Sequence, residues 1–296
     1  MQGIGHRTTA ALVRRALTAL REIEPDGALW RGIVGGAGRE VRVELETLPD
    51  GRTAVEASSP LAPCDALTPA LARILLREHD GLVFGRFRVR GGFLEAEHTI
   101  LGGHTMHDDE VLHAVDAVAW ASGAYAGRVQ DALAGRPPTG PPPTPPTREL
   151  RGVDDMLVDA GRRVETLLRD RYGVFERDPA WGLHAAFGSA RVFVAVRHYT
   201  GRSASVIVHS PVLLGVAPSD ELAFAAQSLT DARHLGRFVH AEERGELWLE
   251  HALLADDLHA EELTAVIDAI AAIADESDDR LQTAHGGRRY RDVADA

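Results

Sequence analysis

His104, His107 and Asp108 are the residues of this sequence best placed to hold a metal ion. They sit in the run His104-Thr105-Met106-His107-Asp108-Asp109-Glu110, which offers two imidazoles and three carboxylates just ahead of a helical stretch. Such a set could polarise a bound water for hydrolysis, given further convergent ligands. The corresponding stretch of the later half, Leu254 to His259, does not reproduce the pair. Acids at a helix start are also ordinary capping and dipole chemistry. Metal-assisted hydrolysis by His104, His107 and Asp108 is therefore carried as the alternative reading.

A second set repeats. Gly85-Arg86-Phe87 leads to Glu97-His98, and Gly236-Arg237-Phe238 leads to Glu250-His251. His98 and His251 share strand phase with apolar residues and lack a neighbouring nucleophile, so they read as hydrogen-bonded histidines at the edge of a core. No nucleophile elbow, P-loop or dinucleotide fingerprint is present, and no cofactor is implied.

These residues need hairpins to position them. Gly91-Gly92 supplies the positive φ angles of a two-residue turn, which sets Arg90 opposite Phe93, Arg88 opposite Glu95 and Arg86 opposite Glu97. The later hairpin has a longer turn, Glu242 to Gly245, and pairs Arg237 with Glu250 and Val239 with Trp248. In both, the Arg to Glu pair reads as an exposed cross-strand ion pair that marks register. One side of this ribbon carries Arg86, Phe93, Glu95 and Glu97, and its later counterpart Arg237, Val239, Trp248 and Glu250. Aromatic and apolar side chains rimmed by charge suit protein contacts, and these eight are the candidate partner-binding residues. The alternative is that they bury against the other half of the chain, and both readings stay open.

The surrounding pattern is α-βββ-α-ββ-α, read twice. Thr9 to Ile23 is helical and is closed by Glu24-Pro25-Asp26-Gly27. Strands follow at 28–34, 40–47 and 53–58, with turns at Gly35 to Gly38 and Pro49 to Gly51. A helix over 67–79, capped by Asp65, precedes the hairpin, and a helix capped by Asp108 or Asp109 runs to about Leu133 with Val111, Val115 and Val118 inward. The order returns with a helix from Asp154 to Tyr172, strands at 181–187, 191–198 and 203–209, a helix over 220–229, the second hairpin and a helix over 260–275. Trp30 echoes Trp181, Gly51-Arg52 echoes Gly201-Arg202, and Ser59-Pro60 echoes Ser210-Pro211, at an offset of about 150 residues. The expected fold is α+β, with two tandem five-stranded antiparallel sheets and helices mainly on one face of each. The expected domains are 1–135 and 148–284. The proline-rich linker 136–147 would span on the order of 35 Å if extended, and 285–296 is an arginine-containing tail.

The chain has 296 residues, 45% of them apolar, and a net charge of −12. That balance argues against a nucleic-acid partner, although Arg288-Arg289-Tyr290-Arg291 is a local basic spot. The absence of lysine and asparagine reads as the codon bias of a GC-rich bacterial genome. A single cysteine, Cys64, rules out an intrachain disulfide. Arg7, Arg14 and Arg15 break any apolar run near the start and no stretch is long enough to insert in a membrane, so a cytoplasmic location is expected.

The element order, with the paired Gly-Arg-Phe and Glu-His echoes, resembles the YbjN family and the class I type III secretion chaperones of the CesT type. The resemblance implies a protein or peptide partner and a non-enzymatic, chaperone-like or adaptor role. Secretion chaperones of that type are usually homodimers of one domain, so two copies in one chain could form a pseudo-dimer; a homodimer of the chain is also open.

Overall fold

The computed structural model describes residues 4–294 other than 21–22, 27–28, 35–37, 49, 137, 144–152, 174, 179–180, 201–202 and 257. The turns expected at Gly35 to Gly38 and Pro49 to Gly51, the Gly201-Arg202 echo, and the end of the proline-rich stretch lie wholly or partly outside the described residues.

The first half runs α1 (Ile4–Ala19), β1 (Ile23–Asp26), β2 (Leu29–Val34), β3 (Arg39–Thr47), β4 (Thr53–Pro63), α2 (Pro69–Glu78), β5 (Arg86–Arg90), β6 (Phe93–Leu101) and α3 (Asp108–Leu133). The second runs α4 (Val153–Tyr172), β7 (Glu176–Asp178), β8 (Gly182–Phe187), β9 (Ala190–Thr200), β10 (Ser203–Leu214), α5 (Asp220–Asp231), β11 (Arg237–Ala241), β12 (Glu246–Leu254), α6 (Ala260–His285) and α7 (Tyr290–Ala294). The fold is α+β, with two antiparallel sheets ordered β1-β2-β3-β4-β6-β5 and β11-β12-β10-β9-β8-β7. Each sheet has six strands rather than the expected five. The additions, β1 and β7, are edge strands of three or four residues. They are too short to show alternation, and an edge strand tolerates Pro25 because only one of its sides must supply ladder bonds.

Two compact units result. One comprises residues 1–67 and 84–143, the other 68–83 and 144–296. Residues 68–83 are thus counted with the second unit, whereas the sequence pattern assigns them to the first repeat. The physical reason is the buried stripe of α2, Leu71, Ala72, Leu75 and Leu76, which packs on α5 and β11. Helices α2 and α5 follow the equivalent strands β4 and β10, and their caps match. Thr68 Oγ1 accepts from Leu71 N–H at 3.2 Å, and Ser219 Oγ accepts from Leu222 N–H at 3.1 Å. The cap of α2 is therefore Thr68, not Asp65, which lies too far ahead of the first turn.

In the first unit, α1 and α3 cover one face of the sheet. Val111, Val115 and Val118 face inward with Tyr125, whose ring meets Phe87 at 5.0 Å, and Leu94, Ala96 and Ile100 share that core. The proline-rich stretch begins by folding back on α3. Tyr125 OH donates to Pro143 O at 3.1 Å and Arg128 Nη1 to Thr139 O at 2.8 Å, so residues 138–143 are held to the helix rather than extended away from it.

In the second unit, α4 and α6 cover the sheet, with Val164, Leu168, Val266, Ile267 and Ile270 on Val206, Val208, Leu249 and Leu253. Register equates Val43 with Val194 and Ala57 with Val208, so the counterpart of Trp30 is Leu183, not Trp181. The Ser-Pro echoes hold: β4 and β10 each shift register just after Pro60 and Pro211. A bulge is where a strand accommodates proline.

Candidate functional site

Both hairpins adopt the register expected from the sequence, with Arg86 opposite Glu97, Arg88 opposite Glu95, Arg237 opposite Glu250 and Val239 opposite Trp248. Their surroundings differ from expectation. Arg86, Glu95, Glu97, Arg237, Val239 and Trp248 are all buried; of the eight candidates only Phe93 is exposed, at 38%, and Glu250 is intermediate. The Arg86–Glu97 pair is not a surface ion pair. Strand alternation gives the face of a residue, but not whether that face stays wet.

On the first sheet, the face away from α1 and α3 is charged. Glu97 is 0% exposed; its Oε1 accepts from Arg86 Nε at 2.9 Å and also from Nη2, and its Oε2 accepts from Arg88 Nη1 at 2.9 Å. Arg90 Nη1 binds Glu56, Arg42 Nη1 donates to Glu95 at 3.1 Å, and the Arg42 guanidinium lies 5.9 Å from the Phe93 ring centre. Burial pushes the Glu97 carboxyl up, but Arg86 and Arg88 outweigh it and leave it below the usual range. Glu56, 2% exposed, is pushed up to about 7 by burial and then by the Glu97 charge, against the pull of Arg90, Arg88 and Arg86. Burial likewise raises Glu95. This arrangement ties strands β3, β4, β5 and β6 together.

On the second sheet, the equivalent face is aromatic. Trp248 stands where Glu95 stands, Val239 where Arg88 stands, His209 where Ser58 stands and Phe193 where Arg42 stands. Trp248 packs edge-on against Trp181 at 4.6 Å and against His209 at 5.2 Å, with Phe193 behind. The retained pair, Arg237 Nη2 to Glu250 at 2.6 Å, floors a groove of two hollows, about 440 and 320 Å³, which share Asp80, Arg197 and Glu250 in their lining. Residues 79–83 form one lip: His79 Nδ1 is 2.9 Å from Phe238 O, and Arg237 Nη2 also donates to Leu82 O. Of the candidates, Arg237, Val239, Trp248 and Glu250 are brought together at this groove. Arg86, Glu95 and Glu97 belong to the charged face of the first unit, with Phe93 at its edge.

Arg197, His209 and Trp181 were not among the candidate site residues read from the sequence. Trp181 sits before β8, outside strand phase, and His209 is one histidine among many; only pairing with β9 and β12 puts them at the groove. The signal available was the alternation of Ser205, Ile207 and His209 on β10.

His104, His107 and Asp108 are not brought together as metal ligands among the described residues. Asp108 is bound by Arg15 Nε and Nη2, both at 2.7 Å, which holds its carboxyl below the usual range. His107 occupies the cap position expected for Asp108 or Asp109, and its backbone N–H donates to Glu110 at 2.8 Å. His98 packs edge-on to Phe84 at 5.4 Å, and Gly236 N–H donates to His251 Nδ1 at 3.3 Å, both structural roles. The basic tail is neutralised locally: Arg289 pairs with Asp279 and Asp292, and Arg291 with Asp279. Leu214 and Arg288 exchange backbone bonds at 2.7 and 2.8 Å, which lays Tyr290 5.7 Å from both Trp181 and Phe193.

A sheet covered by helices on one face and carrying an aromatic groove on the other makes the second unit a small α+β domain. Residues 159–293 match the family model described as T3SS (YopN, CesT) and YbjN peptide-binding chaperone 1, TY-Chap1. Over these residues the second unit is similar to the YbjN/CesT-type peptide-binding chaperones, and the first unit repeats its strand order and register. A search of curated proteins found no match. Among the described residues, no helix is long and apolar enough to cross a membrane.

Proposed function

We propose that this protein binds extended segments of partner proteins, as a chaperone or adaptor without catalysis, through the groove on the outer face of the second unit. The observation that carries this reading is the groove itself: a hollow of about 440 Å³ joined to one walled by Trp248 and Val239, floored by the Arg237–Glu250 pair, and lined, apart from residues 80–83, by residues of the region that matches the peptide-binding chaperone family. An apolar wall gives a side chain of the client burial, while the charges at the lips orient its backbone.

The reading extends to the repeat. Equivalent helices α2 and α5 pack on one another within the second unit, which supports a built-in pair standing in for the two subunits of a homodimer. In this reading the first unit, with its closed charged face, is a scaffold rather than a second groove.

The test applies the full chain to an array of random-sequence peptides. Ala241 lines the groove at the end of β11, so Ala241→Trp fills the hollow without emptying the core. Peptide capture should fall by about tenfold or more in this variant while its circular dichroism is unchanged. Undiminished capture by A241W, or no capture by the wild type, would sink the proposal.

A further inference from the structure

The groove contains a polar group that nothing in the fold uses. His209 is 5% exposed, its Nε2 has no hydrogen-bond partner among the described residues, and it lines the smaller hollow. Its ring is fixed edge-on by Trp248, with Phe193 at 5.7 Å, so the nitrogen cannot swing out to water. A buried donor or acceptor left unmade is costly, and a protein that keeps one beside a hollow has it available for whatever enters.

Arg197 is the second unused group. It lines both hollows and is exposed, and no carboxylate is paired with it among the described residues. The other lining cations are engaged: Arg237 with Glu250 at 2.6 Å and Arg244 with Glu246 at 3.1 Å. Glu250 is thereby neutralised, and Asp80 remains as the acid of the opposite lip. Burial first, and the Arg197 charge second, hold the His209 ring down to about 3, so it is neutral and can offer an N–H without carrying charge. A free guanidinium beside a neutral imidazole, both within reach of an indole wall, is complementary to a carboxylate attached to an apolar group.

Resting on the peptide-binding reading above, we propose that the groove contains a carboxylate subsite, in which an anionic group of the bound peptide lies between Arg197 and His209 Nε2 with its apolar neighbour against Trp248. A chain-terminal carboxylate and an acidic side chain supply the same chemistry.

The experiment titrates the full chain, with histidine nitrogens labelled, with three probes: N-acetyl-leucyl-phenylalanine, its C-terminal amide, and N-acetyl-leucyl-phenylalanyl-glutamic acid α-amide, whose terminal carboxyl is amidated and whose glutamyl side chain is free. Either acid should bind about tenfold or more tighter than the neutral amide and shift the His209 resonance, and the favoured acid identifies the source of the carboxylate. Arg197→Gln, at an exposed position, should reduce the acids to the level of the amide. Equal binding of amide and acids, persistence of the acid preference in R197Q, or an unmoved His209 resonance with all three probes would overturn the subsite. The peptide array separates this from failure of the parent reading: capture that A241W abolishes, without acid preference, refutes the subsite alone, whereas no capture refutes both.

Discussion

The outer faces of the two sheets share one register and differ in chemistry. Six positions account for most of the contrast: Arg88, Arg90, Glu95, Glu56, Ser58 and Arg42 of the first sheet are Val239, Ala241, Trp248, Ile207, His209 and Phe193 of the second. The Arg86–Glu97 and Arg237–Glu250 pairs are kept. Around the first pair, further guanidinium–carboxylate contacts fill the face and lock it. Around the second, aromatic rings and small side chains leave space, and the same ion pair becomes the floor of a groove. A backbone register can thus be retained while the face it presents changes from a lattice of ion pairs to an aromatic groove.

If this contrast is correct, its largest signature is the cost of removing each arginine. Arg86→Ala leaves the Glu97 carboxylate buried against one remaining donor, Arg88, and should cost about 3–5 kcal/mol in chemical denaturation. Arg237→Ala should cost less, because a fifth of the Glu250 side chain is already exposed and can rehydrate. Equal losses would break the comparison.

Leu75→Ala probes the allotment of α2. The side chain is fully buried, and its loss should cost about 2–5 kcal/mol. Hydrogen exchange should speed in α5 and β11, not in β4 and β6; the reverse result would return α2 to the first unit.

The glycines that open the hairpins give a smaller contrast. Gly85 has φ +80°, and an added Cβ would lie 2.5 Å from Glu97 O, which is backbone and cannot yield. At Gly236, with φ +82°, the nearest atoms are the Ile270 and Leu249 methyls at 3.0 and 3.1 Å. Both Ala variants carry the positive-φ strain of about 1–3 kcal/mol, and Gly85→Ala should be the worse of the two by melting temperature.

The smallest effect is one of pH. The Glu56 carboxyl titrates at about 7 in the fold against an ordinary 4.5, so the folded state holds its proton more tightly. Its contribution to stability is fully present below about 4.5 and is lost as pH rises to about 7. Glu56→Gln should therefore stabilise the first unit more at pH 8 than at pH 4, by roughly 1–2 kcal/mol after allowing for the arginines it leaves. A pH-independent difference would show that the fold leaves the Glu56 carboxyl at its ordinary value. Glu97, held low, acts oppositely: its stabilisation is present above the ordinary carboxylate range and lost as pH falls.

Strand alternation, turn glycines and helical stripes were enough to read the repeated element order, the hairpin register and the inward face of α3 from the amino-acid order. These depend on neighbours two to four residues away. The short edge strands β1 and β7 were not readable, since three or four residues carry no period. The end of α6 at His285 also lay beyond the expected Asp275, because its last turns keep Ser277, Asp278 and Leu281 buried with few apolar side chains to advertise it.

Of the site, the sequence determined which residues face the same side of the hairpins: Arg237, Val239, Trp248 and Glu250 in one copy, Arg86, Glu95 and Glu97 in the other. That follows from the two-residue period of a strand, which needs no knowledge of the rest of the chain. Only the tertiary structure decided that one face closes into salt bridges while the other opens as a groove. The deciding residues, Arg42, Glu56, Trp181, Phe193, Arg197 and His209, come from strands and loops far away in sequence, and their chemistry combines only when those strands pair.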